Sequence, residues 1–406
     1  MGRRTKNLRP CRHRRHMAIF HHNGEKAMTN ENVINKTNTP PPRDSSIELL
    51  RIISMVMIIF HHFAVHGGFQ WNTSSLSISR FWYNFLTMGG KTGVDIFVLI
   101  SGYFLVNRKG PIFNFKRILK LWGQVFFYSI VFYIVFWSVG MNDGGILSLI
   151  KVFFPITFSS WWFASTYFVL FLIHPFLNRL IHSLDRKLYQ SLLVLLVICW
   201  CIIPTFTTSK YEGNSLLWFV TLYAISGYAR IYGFNPKLKS RHYFILWGIF
   251  SILTYLSSVA FTFLGTKWSI FSSHATYFYG QNKLPILLVS LTLFMAFSTL
   301  KMRYHKWINI IASATFGVYL IHENDFVRPF LWLNVFKNAQ YQDSLMLIPY
   351  SIGVVIVVYA VCTLIDLLRQ QIIEKPYMKI VNRYSDSWLK PFERICEFFK
   401  KIIFGK

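Results

Sequence analysis

Long apolar runs separated by short polar connections constrain this chain more than any other feature. About ten such runs can be placed, near 47–65, 94–106, 119–138, 162–178, 188–206, 215–229, 243–264, 284–300, 307–322 and 345–368. Lipid offers no water to satisfy exposed backbone amides, so runs of this kind fold as helices that bond internally. Charged residues make up only 15% of the 406 positions, against about 25% in a soluble protein. The aromatic share of 18% is high, and many aromatics fall at segment ends, where an interfacial belt places them. The second, fourth and ninth runs are short or interrupted by polar residues, and functional groups are expected there.

The connections test this count independently. Basic residues are plentiful in 107–120 (Arg108, Lys109, Lys116, Arg117, Lys120), 179–187 (Arg179, Arg186, Lys187), 230–242 (Arg230, Lys237, Lys239, Arg241) and 301–306 (Lys301, Arg303, Lys306). They are sparse in the alternate connections 139–160, 207–214, 265–283 and 323–343. Unbroken alternation implies an all-α, polytopic transmembrane bundle with an even number of helices and both termini in the cytoplasm. It also accounts for most of the net charge of +27 without a nucleic-acid partner. Three of the five cysteines, Cys199, Cys201 and Cys362, sit within apolar runs, and no ligand spacing marks a disulfide frame or a metal site.

The membrane domain is read as 47–368. Residues 1–46 are polar, basic and interrupted by Pro40-Pro41-Pro42, as in a disordered cytoplasmic tail without a signal peptide. Residues 1–27 differ enough from the rest for Met28 to be an alternative start. Residues 369–406 read as a basic cytoplasmic tail with an amphipathic surface helix near Ile395–Ile403. No internal repeat and no appended soluble domain is visible.

Ionisable groups at membrane depth are costly and point to function. Arg51 and His62 fall on one face of the first helix, roughly 16 Å apart at 1.5 Å per residue. Arg51 reads either as a functional cation or as an arginine reaching the interface. His61 points about 100° away from His62 and is the better candidate for a packing histidine. The second helix is read as opening at Gly89-Gly90-Lys91-Thr92-Gly93-Val94-Asp95. That start puts Asp95 at the depth of His62, where its carboxylate would orient the imidazole; the other reading is a cap on its own helix. Trp161 and Trp162 open the fourth helix, which also carries Tyr167, and serve as an interfacial anchor or a site wall. His322 closes the ninth, facing the same cavity or capping its helix.

At these residues the sequence resembles the acyltransferase 3 family of integral membrane enzymes that O-acylate carbohydrates. The resemblance spans roughly 45–368. It rests on Arg51…His62, on Gly93-Val94-Asp95-Ile96-Phe97…Ser101-Gly102-Tyr103, on Trp161-Trp162-Phe163…Tyr167, and on Phe316-Gly317-Val318-Tyr319-Leu320-Ile321-His322. It implies catalysis by His62 with Arg51 as its partner, to which the reading of the residues above adds Asp95 in support. It further implies acyl-CoA, typically acetyl-CoA, as co-substrate rather than a resident cofactor, held by Arg51, Ser101 and Tyr103. The acceptor would be a hydroxyl of a surface or secreted polysaccharide, contacted by Lys91, Trp161, Trp162, Tyr167 and His322. A bacterial plasma membrane is the expected location. Some relatives carry an extracytoplasmic hydrolase-like domain; its absence here favours direct transfer or a separate partner protein. A transporter or flippase of a glycan-related substrate is the competing expectation, since membrane histidines and acids also line transport paths. Oligomeric state is not legible in the sequence.

Overall fold

The computed structural model describes residues 44–405, apart from 73–75, 109–113, 142–143 and 208–214. The expectations for the N-terminal tail, Met28 included, therefore lie outside the described residues. Among the described residues every regular element is helical. Asp44 caps α1 (Ser45–Val65) by accepting from the Ser46 amide at 3.0 Å, and Ser77 caps α2 (Ile78–Leu105). Asn114 starts α3 (Phe115–Ser138) in the same way, satisfying an amide that the first turn leaves free. The short α4 (Ile146–Phe153) precedes α5 (Trp162–Ser183). Helix α6 (Arg186–Val197) continues through a π turn into α7 (Ile203–Phe206). Then come α8 (Leu216–Tyr232), α9 (Ser240–Gly265), the short α10 (Ser269–Ser273) and α11 (Leu284–Ser298). The ninth expected run is split at Ala314 into α12 (Lys306–Ser313) and α13 (Thr315–His322). The short α14 (Val327–Pro329) leads to α15 (Leu347–Arg369) and α16 (Lys375–Phe404).

Among the described residues, seven segments are long and apolar enough to cross a bilayer: Ser45–Val65, Phe115–Ser138, Trp162–Ser183, Arg186–Phe206, Ser240–Gly265, Ser269–Ser298 and Leu347–Ser385. A chain built this way is a multi-pass membrane protein. The other three expected runs, 94–106, 215–229 and 307–322, are the helices α2, α8 and the α12–α13 pair.

The antiparallel α1 and α2 form the centre. Helix α1 packs on α2, α11, α12, α13 and α15, while α2 also meets α5, α8, α9 and α11. Their backbones approach closely because Gly93 has no side chain: a Cβ there would stand 2.6 Å from the Ser54 carbonyl oxygen.

Two sequence expectations change. Helix α2 starts at Ile78, not near Gly89, so Lys91 and Asp95 lie mid-helix and Asp95 caps nothing. The polar residues that disguised its first turns are paired inside the bundle: Trp82 Nε1 donates to Ser351 Oγ at 3.0 Å and Asn84 Nδ2 to Thr262 Oγ1 at 3.0 Å. The C-terminal helix is also far longer than the expected segment near Ile395–Ile403. A π turn (Gln370–Glu374) joins α15 to α16, and Lys120 of α3 grips that turn through Glu374 at 2.7 Å. Tyr377 adds a hydrogen bond to the Leu119 carbonyl at 3.1 Å, so the start of the segment read as a tail is docked on α3.

Candidate active site

One stripe of α1 carries Arg51, Met55, Ile58 and His62. Its first three members line a cavity of about 220 Å³, walled opposite by Phe97 and Ser101 of α2, Gln124 of α3, Tyr167 of α5, and Thr315 and Tyr319 of α13. The stripe therefore faces into the bundle, and His62 stands one turn beyond Ile58. Arg51 has Glu48 as an ionic neighbour at 3.8 Å. That separation exceeds hydrogen-bond length, so the guanidinium can take up another anion at the cavity wall.

Helix α13 delivers the groups around His62. Its last residue, His322, is buried and has Nδ1 2.6 Å from the Val318 carbonyl oxygen. A carbonyl only accepts, so Nδ1 carries the proton and Nε2 of the neutral ring presents a lone pair. That Nε2 is 3.0 Å from His62 Nδ1, which therefore donates. The same Nδ1 lies 3.2 Å from Glu323 Oε2. With Nδ1 protonated, Nε2 is the basic atom of His62. Glu323 is fixed in turn: its Oε1 accepts from Arg328 Nη1 at 2.9 Å and faces His66 Nε2 at 3.6 Å. The arrangement is an imidazole whose tautomer is fixed by a second histidine, with a carboxylate beside it that can stabilise its cation.

The carboxylate is not Asp95. The contacts of Gly93 with Ser54 and of Gly90 with His61 set the register of the pair, and they place Asp95 about two turns from His62 along α1, roughly 12 Å. Asp95 is fully buried and accepts instead from Trp218 Nε1 of α8 at 3.0 Å. The expected depth was wrong because the start of α2 was wrong. Tyr103 also stands apart from the cavity, with its hydroxyl accepting from Arg230 Nη1 at 3.1 Å. Ser101 and Tyr167 do meet at the cavity wall, oxygen to oxygen at 3.2 Å. Lys91 lies over the Trp162 ring at 5.3 Å, while Trp161 is buried as the first residue before α5. His61 is the packing histidine, donating from Nδ1 to the Thr87 carbonyl at 2.8 Å.

A family model described as an acyltransferase domain matches residues 44–367. The chain belongs to this acyltransferase family. No curated protein and no solved structure matches it. The matched span runs from the cap of α1 into α15 and so contains every group of the acyltransferase's histidine–carboxylate cluster.

Sequence reasoning missed Glu323, His66 and Arg328. Two signals were present. Glu323 is an acid directly after a membrane histidine, and His66 follows His62 by one helical turn on the same face. The fold assembles His62, His322 and Glu323 from opposite ends of the domain.

Proposed function

We propose that this membrane acyltransferase moves an acyl group, acetyl in the first instance, from acyl-CoA to a hydroxyl of a surface or secreted polysaccharide. The setting is a bacterial plasma membrane, with His62 as acid–base group. The supporting observation is the orientation of His62: Nδ1–H donates to His322 Nε2, with Glu323 Oε2 3.2 Å away as an ionic neighbour, which leaves Nε2 as the proton acceptor. An alcohol is a weak nucleophile at neutral pH. As its oxygen bonds to the thioester carbon, His62 Nε2 takes the hydroxyl proton; when the carbon–sulfur bond breaks, the imidazolium returns that proton to the leaving CoA sulfur. Glu323 stabilises the cation between the two steps. Arg51, Ser101 and Tyr167 fit the donor side, since guanidinium pairs well with phosphate and the two hydroxyls share the cavity. Lys91 and Trp162 form a cationic aromatic corner suited to an acceptor sugar. Tyr103 is left out of the site.

Proteoliposomes supplied with labelled acetyl-CoA and candidate glycans test the reading through transfer of label to sugar. Uptake or flipping of the glycan without acyl transfer would overturn it. Two variants divide the roles. Arg51→Gln should raise KM for acyl-CoA about 10–100-fold, the loss of one charge-assisted contact, with a smaller change in kcat. A lower kcat at unchanged KM would remove Arg51 from donor binding. Glu323→Gln keeps the shape but loses the charge beside His62, and kcat should fall about 100-fold with little effect on KM.

A further inference from the structure

The pocket around His62 Nδ1 holds more ligand atoms than one proton needs. His322 Nε2 points a lone pair into it, with its tautomer fixed by the Val318 carbonyl. Glu323 Oε2 borders it too, buried and without a hydrogen bond of acceptable geometry, while Arg328 anchors the other oxygen of the same carboxylate. One ligand atom from each of the three residues lies within 4.8 Å of the other two, and His62 Nδ1 is 3.0 Å from His322 Nε2 and 3.2 Å from Glu323 Oε2. Two ligands on a tetrahedral zinc ion with bonds of 2.0–2.1 Å stand about 3.3 Å apart. The two separations from His62 Nδ1 are therefore close to zinc spacing before any ion enters.

We propose that His62, His322 and Glu323 form a zinc(II) site whose occupation switches His62 off as a base. Two imidazoles and a carboxylate suit zinc over magnesium or calcium, which favour all-oxygen shells. His66 and Arg328 are 31% and 32% exposed, so the cluster opens at that end to an ion and to the water that completes its shell. The inhibition follows from the tautomer. When Nδ1 of His62 gives its lone pair to zinc, the ring proton that it carried passes through solvent to Nε2. The ring stays neutral and no proton is released by it. Nε2–H is then a donor and has no lone pair for a substrate hydroxyl. The zinc-bound enzyme is thus held in the unproductive tautomer, and the metal-free enzyme in the productive one. Glu323 supplies one negative charge to the ion and is withdrawn from stabilising the imidazolium.

Binding is measured apart from catalysis. The purified full chain in detergent, stripped of metal, is titrated with zinc chloride, desalted and assayed by elemental mass spectrometry. One zinc per chain is expected, with magnesium chloride giving none. Cobalt(II) should give the visible absorption of a four-coordinate nitrogen–oxygen site, a readout that depends on no variant. His322→Ala and Glu323→Gln should each weaken zinc binding at least tenfold. Wild-type protein that retains no zinc and shows no such cobalt spectrum overturns the site, as does undiminished binding by folded His322→Ala protein. Rising free zinc should inhibit acyl transfer, reversibly with EDTA. Stoichiometric binding with transfer unchanged or increased overturns the switch. The inhibition arm rests on His62 being the base; metal-free protein that never transfers an acyl group counts against that reading alone and leaves the binding result intact.

Discussion

Replacing His62 with alanine should lower acyl transfer by about 10³–10⁴-fold, the upper part of the range for a lost acid–base group. The protein should still reach the membrane and run as wild type in detergent gel filtration. The separation is reasonable because His62 lies at the edge of the buried cluster, with a side chain 11% exposed. The place of α1 in the bundle is held instead by Leu50, Ile58, Ile59 and Phe63, all buried, and by the close approach of α1 to α2 at Gly93. Removing the ring strips His322 Nε2 and Glu323 Oε2 of a partner, but the pocket opens toward His66, so water can replace it. The assay is label transfer at saturating donor. A His62→Ala protein that transfers at a tenth of the wild-type rate or better would exclude His62 as the base. In that event Glu323, a second proton acceptor in the cluster, would be the next group to test. Comparing His62→Ala, Glu323→Gln and the double variant sharpens the point: residues that act as one unit are not additive, so the double variant should be no slower than His62→Ala.

How much of this could be read beforehand follows the reach of each interaction. Arg51 and His62 share a helix, so their common face is fixed by 3.6 residues per turn and was legible. The contact between His62 and Glu323 depends on how α1 and α13 are rotated against each other, which no local pattern records. Hydropathy found the helices that meet lipid. It failed on the first half of α2, because one face of that helix is buried against protein and can carry the polar Arg80 and Asn84 inside the bundle. That one failure carried through to the site: a helix begun too late set Asp95 at the wrong depth and made it the wrong carboxylate. The family match covers the membrane domain and settles the chemistry as acyl transfer. The proposed donor and acceptor rest on the family resemblance, and the proposed roles within the cluster on its geometry.

The largest loss of stability should come from a second polar cluster, where α15 meets α3. Asp366 is fully buried and takes hydrogen bonds from four side chains. Tyr128 donates to Oδ1 at 2.8 Å, Arg369 Nε at 2.7 Å and Gln124 Nε2 at 3.2 Å, while Gln370 Nε2 reaches Oδ2 at 2.8 Å. Arg369 has a second partner in Glu374 at 2.9 Å, but its Nε loses its acceptor if Asp366 is removed. Asp366→Ala should therefore cost on the order of 3–5 kcal/mol, because a buried cation is left short of charge compensation. The measurement is the midpoint of thermal unfolding in detergent, followed by gel filtration of the soluble fraction. Gly317 of α13 makes the test specific. A Cβ at that position would overlap the Asp366 carboxylate, so Gly317→Ala should destabilise the wild type by displacing the hub. With Asp366 already alanine the overlap is gone, and Gly317→Ala should then cost little beyond a few tenths of a kcal/mol. Helix propensity alone even favours alanine. The two substitutions should be strongly non-additive, as expected of residues in contact. Additive losses would mean that Gly317 is needed for something other than the Asp366 carboxylate, and that the hub does not set the spacing of α13 and α15.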